Sequence, residues 1–201
     1  LAERVRARAE YSPAIAVQAR TLGVSIASAL GEAVADRDPT LAADADATGD
    51  PRLAIEARLA LASALRGQAG LTLADEALTR LGALPPDETR DLAYRLFSLR
   101  LELLWEGRLG DLAAGRAAAA RAAEAAEALG SEWAVLDMEM SLAVMESDAK
   151  RGAEAVARLE AVVSKAEARH FGTLERQARV NIAVALLRAG KAAEAAEASD
   201  G

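Results

Sequence analysis

The sequence predicts an all-α chain in which helix–turn–helix pairs stack into an α-solenoid with a period near 40 residues. Three observations lead there. Three segments open on a glycine and run into an apolar helix: Gly49-Asp-Pro-Arg-Leu-Ala-Ile, Gly130-Ser-Glu-Trp-Ala-Val-Leu and Gly172-Thr-Leu-Glu-Arg-Gln-Ala. The first two openers lie 81 residues apart and the last two 42. Self-similarity at a fixed spacing of this size marks a helical-repeat array. Apolar residues make up 52% of the chain but aromatic ones only 3%, and alanine, the best helix former, supplies most of the apolar count. No run of alternating β-branched residues suggests a strand.

Laid on their glycines, the three copies share a face. Eight residues on stand Ala57, Met138 and Val180; twelve on stand Leu61, Leu142 and Val184; fifteen on stand Ala64, Met145 and Leu187. Eleven on, Ala60, Ser141 and Ala183 are all small. These offsets follow the i, i+3, i+4, i+7 rule of one helical face, and all are expected inward. The small position lets a neighbouring helix approach closely.

The elements follow in order. Leu1–Glu10 reads as a charged helix. Ser12-Pro13 starts the next, with Ser as N-cap and Pro at the first helical position, through Val17, Leu22, Ile26 and Leu30. Gly31-Glu-Ala and Asp38-Pro39 interrupt the chain, and Thr40–Ala47 is a short helix. Asp50-Pro51 caps Arg52–Arg66, Gly67-Gln-Ala-Gly70 turns, and Leu71–Leu84 returns until Pro85-Pro86 breaks it. Glu88–Glu106 carries Leu92, Leu96, Leu99 and Leu103 on one stripe. Asp111 caps an Ala-rich helix to Leu129, Gly130 closes it, and Ser131 caps the next to Ser147. Ala153–His170, Gly172–Arg188 and a helix from Lys191 complete the chain. The units run roughly 1–48, 49–84, 85–129, 130–170 and 171–201, the last incomplete. All form one helical-repeat domain, expected to be a fragment because the chain starts at Leu1 and stops soon after Lys191.

Net charge is −7 with pI near 4.9, which argues against a nucleic-acid-binding surface on this segment, since phosphate needs a basic face. There is no cysteine, hence no disulfide framework or thiolate metal site. No signal peptide and no run of about 18 apolar residues is present, so a cytoplasmic protein without membrane contact is expected.

Ala183-Val-Ala-Leu-Leu-Arg-Ala-Gly190-Lys-Ala-Ala-Glu194-Ala195 resembles the middle of a tetratricopeptide unit: small residue, Leu, turn Gly, then Glu-Ala opening the second helix. Lys150-Arg-Gly-Ala-Glu154-Ala155 repeats the turn. Ala47-Thr-Gly-Asp-Pro-Arg-Leu-Ala-Ile-Glu-Ala resembles the joint between units in the solenoids of large bacterial LuxR-type (MalT-like) signal-transduction ATPase regulators. The resemblance covers about residues 40–199, and the usual aromatic signature is largely missing. It implies a right-handed solenoid acting as a non-enzymatic protein-interaction or effector-sensing module of a larger transcriptional or signal-transduction regulator. Its partner would be a protein or peptide, or a small-molecule inducer; an oligomer is compatible with it. The alternatives are a plain scaffold without effector and, third, an enzyme.

Tyr94, Phe97, Arg100, Trp105 and Trp133 cluster most of the rings in two adjacent units. Two readings stand: an inner-face binding groove, since aromatic and Arg side chains dominate binding hot spots, or core filling. Asn181, the only asparagine, sits mid-helix against its propensity and either reaches a ligand or faces solvent. Asp44-Ala-Asp46-Ala-Thr48-Gly49 mimics the opening of a calcium loop, but Ile55 stands where the bidentate Glu belongs; the plain alternative is an acidic turn capping the next helix. His170, the only histidine, has no second His or Cys for a metal or catalytic pair. Gly190-Lys191 lacks the rest of a phosphate loop. No cofactor, metal or catalytic residue is expected. Arg116, Arg121, Glu124 and Glu127 read as a solvated outer face with local ion pairs.

Overall fold

The computed structural model describes residues 12–32, 38–106 and 111–200. They are all-helical, with ten α-helices: α1 Pro13–Ala29, α2 Leu41–Ala47, α3 Pro51–Leu65, α4 Gly67–Leu81, α5 Arg90–Glu106, α6 Leu112–Ala128, α7 Glu132–Asp148, α8 Gly152–Ala168, α9 Gly172–Arg188 and α10 Ala192–Asp200. A 3-10 turn, Pro86–Glu88, precedes α5. The expected helix over Leu1–Glu10 lies outside the described residues. Among these helices none is long and apolar enough to cross a membrane. Two compact units divide the chain after Leu103.

In the first unit α3 is the central helix. Asp50 caps it, accepting from the N–H groups of Arg52 at 2.9 Å and Leu53 at 3.1 Å. One side, Leu53, Ala57, Ala60 and Leu61, packs on Val17 and Val24 of α1 and Leu41 and Ala45 of α2. The other, Ile55, Leu59 and Ala62, meets Ala74, Ala77 and Leu81 of α4 and the full stripe Leu92, Leu96, Leu99 and Leu103 of α5. The expected turn Gly67–Gly70 is a correction. The chain reverses at Arg66 alone, with φ 56° and ψ −177°, and α4 begins at Gly67. Gly70 lies inside α4 because a Cβ there would stand 2.6 Å from the Ala62 carbonyl oxygen and 3.2 Å from Leu103 Cδ2. Gly70→Ala is therefore expected to destabilise the protein by about 1–3 kcal/mol, although alanine is the better helix former by roughly 1 kcal/mol. Gly152→Ala, where a Cβ would make only ordinary contacts, with Ala189 Cβ at 3.5 Å and the Ala185 carbonyl oxygen at 3.8 Å, should leave the thermal midpoint unchanged or higher. A Gly70→Ala midpoint at or above the native one would show that α3 and α4 separate at no cost.

The second unit has a stricter metre. Helices α6, α7, α8 and α9 are each 17 residues long, and α6 to α10 start at 112, 132, 152, 172 and 192. Gly130, Lys150, His170 and Gly190 take left-handed φ of 72°, 61°, 60° and 78°. After each, the next N–H returns to a carbonyl five residues back: Ser131 to Ala126, Arg151 to Glu146, Phe171 to Ala166 and Lys191 to Leu186, all at 2.9–3.0 Å. This is the Schellman closure, which satisfies carbonyls that a helix end leaves orphaned. Connections this short leave consecutive helices antiparallel neighbours.

The left-handed residue, not glycine, therefore sets the register, and alignment on Gly172 places the third copy two residues late. Counted from Gly130 and His170, offsets 4, 8, 12 and 15 are Ala134, Met138, Leu142 and Met145 in α7, and Leu174, Ala178, Ile182 and Ala185 in α9; all are buried. Counted from Gly49, Leu53, Ala57 and Leu61 are buried too, and Ala64 is half-buried. Val180, Val184 and Leu187, expected inward, are 61%, 37% and 58% exposed. Gly172 is the first residue of α9 rather than its joint.

Candidate functional site

In the first unit, α1, α3 and α5 line an open groove of about 430 Å³. Its floor stays low because Ala29, Ala60 and Ser63 are small, and its walls carry Ser25, Ser28, Tyr94, Arg95 and Ser98. Arg66 sits at one end in a backbone region used almost only by glycine, a conformation that costs about 1–3 kcal/mol. Its guanidinium pairs with Glu102. Arg95 is exposed and makes no ion pair among the described residues. The groove thus presents hydroxyls, one phenol and a surplus cation on a chain of net charge −7.

Of the residues expected to form a binding face, only Tyr94 lines this groove. Phe97 is half-buried on α5, and Arg100 turns to α4, donating to Asp75 at 2.8 Å. Trp105, Trp133 and Asn181 belong to the second unit. Trp133 is 43% exposed on α7, and Asn181 is half-buried on α9. The structure does not gather the six residues into one face within either unit. Sequence spacing missed the serines and Arg95 because nothing in their local pattern distinguishes a wall from a solvated surface.

The stretch that mimics a calcium loop, Asp44–Gly49, is the second half of α2 and the turn after it. Asp44 accepts from Arg20 at 2.7 Å and Thr40 at 2.8 Å; Asp46 accepts from Arg58 at 2.7 and 2.9 Å and from Arg80 at 3.0 Å. The hydrogen bonds from Arg20 and Arg58 hold the two carboxyls below their ordinary range. Arg58 itself is only 4% exposed and also holds the Ala54 carbonyl at 3.0 Å and Glu76 at 3.1 Å.

A second buried ionic cluster is in the second unit. Glu146 on α7 is fully buried. It accepts from Arg116 of α6 at 2.8 and 3.2 Å and from Arg158 of α8 at 3.0 and 3.3 Å. Arg116 also reaches Glu154 at 3.2 Å, and Arg158 pairs with Glu139. This corrects the expectation for Arg116, which ties three helices together; Arg121 with Glu124, at 2.7 Å, is the local surface pair. Burial alone would push the Glu146 carboxyl up, but the hydrogen bonds from Arg158 and Arg116 outweigh it and hold the carboxyl down. A carboxylate locked between two guanidiniums is a staple, not a proton carrier. On the same helix burial pushes Asp137 up.

A pocket of about 460 Å³ lies at the helix ends of this unit, walled by Leu104, Trp105, Leu112 and Met145. Asp148, the last residue of α7, accepts from the Trp105 indole N–H on one oxygen and from Arg188, the last residue of α9, on the other. No family model, curated protein or solved structure matches the chain.

Proposed function

We propose that this chain is a non-enzymatic interaction module whose first helices form the docking face for a protein or peptide partner. The observation that carries the reading is the groove on α1, α3 and α5, with small residues on its floor and hydroxyls, Tyr94 and Arg95 on its walls. An extended chain needs a long shallow trough with hydrogen-bonding groups along it, and stacked helix pairs build such troughs. The twenty-residue metre of α6–α10 and the shared buried offsets support a tetratricopeptide-like solenoid with a period of 40. Placement within a larger bacterial regulator rests on the resemblance at residues 47–57 and 183–195, and a cytoplasmic location on the sequence's lack of a signal peptide and of a long apolar run.

The test is selection from a random peptide display library on the whole chain, repeated on Ser63→Trp and Arg95→Glu. Ser63 is half-buried in the groove floor, so a tryptophan there fills it. Selected peptides should lose about tenfold or more in affinity on Ser63→Trp, a loss of about 1.4 kcal/mol. Failure to enrich any peptide, or equal binding to both variants, would sink this reading.

A further inference from the structure

We propose that copies of this chain join head to tail, the exposed stripe of α9 in one copy seating against the exposed stripe of α1 in the next. Neither stripe lines the groove in the first unit. Inside the chain, the first helices of successive pairs meet by a fixed rule. Helix α7 contributes Leu136, Met140 and Ala143, offsets 6, 10 and 13 from Gly130, to a core shared with α9. From α9 come Leu174, Ala178, Ile182 and Leu186, offsets 4, 8, 12 and 16 from His170. The first unit repeats this. Ser12-Pro13 opens α1 as Asp50-Pro51 opens α3, so positions 11 and 49 are equivalent origins. Val17 and Val24 of α1, offsets 6 and 13, pack with Leu53, Ala57, Ala60 and Leu61 of α3, offsets 4, 8, 11 and 12. A first helix thus has a forward face, near offsets 6, 10 and 13. It receives the backward face, near offsets 4, 8 and 12, of the first helix after it.

One face of each kind is left open. On α1 the backward offsets 4, 8, 11, 12 and 15 are Ile15, Ala19, Leu22, Gly23 and Ile26. No charge stands among them, and Leu22 and Ile26 are 60% and 52% exposed. On α9 the forward stripe is Val180, Ala183, Val184 and Leu187, offsets 10, 13, 14 and 17, and residues 180–187 are uncharged. Met140, Ala143 and Ser147, at offsets 10, 13 and 17 of α7, are buried, whereas Val180 and Leu187 are exposed. Exposed apolar patches mark interaction sites, and the internal joints show which face fits which. Ala19 and Gly23 keep the α1 face low, as Ala57 and Ala60 do on α3, so that a helix can approach closely. A second copy supplies the missing face in both directions; an unrelated partner would answer only one. A forward face on a backward face is a heterologous contact, so each new copy leaves a face free for the next.

Sedimentation equilibrium of the whole chain from about 10 to about 500 µM should show mass rising with concentration, with a pairwise dissociation constant of about 100 µM, as suits a contact below about 1,200 Å². Leu22→Glu with Ile26→Glu alters the α1 face; Val180→Glu with Leu187→Glu alters the α9 face. Each double variant should stay monomeric, because every joint needs one face of each kind. An equimolar mixture of the two should form dimers and nothing larger, since each keeps one intact face. All four positions are exposed, so both variants should keep the thermal midpoint of the dilute native chain. The proposal is overturned if the native chain stays monomeric throughout, if either variant still associates, or if the mixture stays monomeric. A lowered midpoint in a dilute variant would show its altered face already covered within its own chain, and overturns the proposal too. The native concentration series needs no substitution, so it decides the matter even if a variant does not fold.

Discussion

Replacing Glu146 with alanine is expected to destabilise the protein by about 3 kcal/mol, the low end of the cost of breaking a buried ion pair. The low end applies because Arg116 and Arg158, left without their acceptor, are 40% and 30% exposed in their side chains and can turn to water. Glu146→Met, which refills the space without a charge, should recover most of that loss. The two variants separate charge from volume. The pH dependence follows from the depressed carboxyl of Glu146. A group whose folded value lies below its unfolded value stabilises above the unfolded value, near 4.5 here, and loses that contribution as pH falls through the folded value. The urea midpoint of the native chain should therefore drop below about pH 4.5, whereas that of Glu146→Met should change less across the same window. Equal midpoints for native and Glu146→Ala at pH 7 would show that the cluster contributes nothing net.

Leu96→Ala is expected to cost about 3–5 kcal/mol. Leu96 is fully buried on α5, enclosed by α3, α4 and α5, three helices with little freedom to close a cavity. Val180→Ala is the companion measurement, expected within about 0.5 kcal/mol of native, because Val180 is 61% exposed. Thermal or urea unfolding of both distinguishes the two registers of α9: alignment on Gly172 would make Val180 a core position costing more than 1 kcal/mol, whereas alignment on His170 leaves it in solvent.

That comparison also shows where sequence reasoning reached and where it stopped. The stripe on α5 was legible because four leucines at i, i+4, i+7 and i+11 have one side to share, and all four are buried. Asp50, Asp111 and Ser131 were legible as caps because their side chains suit the first turn, and each accepts a backbone N–H there. Alignment on glycine fails in the last copy because the joint there is His170 and not Gly172. Histidine and lysine also adopt the left-handed conformation where the Schellman closure of the preceding helix requires it. Glu146 and Arg58 were invisible because pattern reading assigns charge to solvent, and only tertiary pairing shows that burial is affordable. One signal was available. Asp148 and Arg188, opposite charges forty residues apart, occupy the same place in successive units, each the last residue of its helix.

The uniform joints of the second unit bear on how such a chain can change length. Removing Ser131–Lys150 would join Gly130 to Arg151, and removing Ser131–His170 would join it to Phe171. Either way a left-handed glycine would still precede a helix beginning two residues on. The joints are blind to the difference, but the packing faces are not. Helices α7 and α9 both bury offsets 4, 8, 12, 15 and 16, whereas α8, counted from Lys150, buries 5, 9, 12, 13 and 16 and leaves Glu154, Arg158 and Lys165, at 4, 8 and 15, outside the core. Excising a single helix would set a second-helix face where a first-helix face is required and reverse the direction of everything after it. Excising two would leave each surviving face opposite its proper kind. Within α6–α10, a forty-residue excision is therefore expected to keep like faces together where a twenty-residue one does not, because of which face a helix presents and not because of any turn.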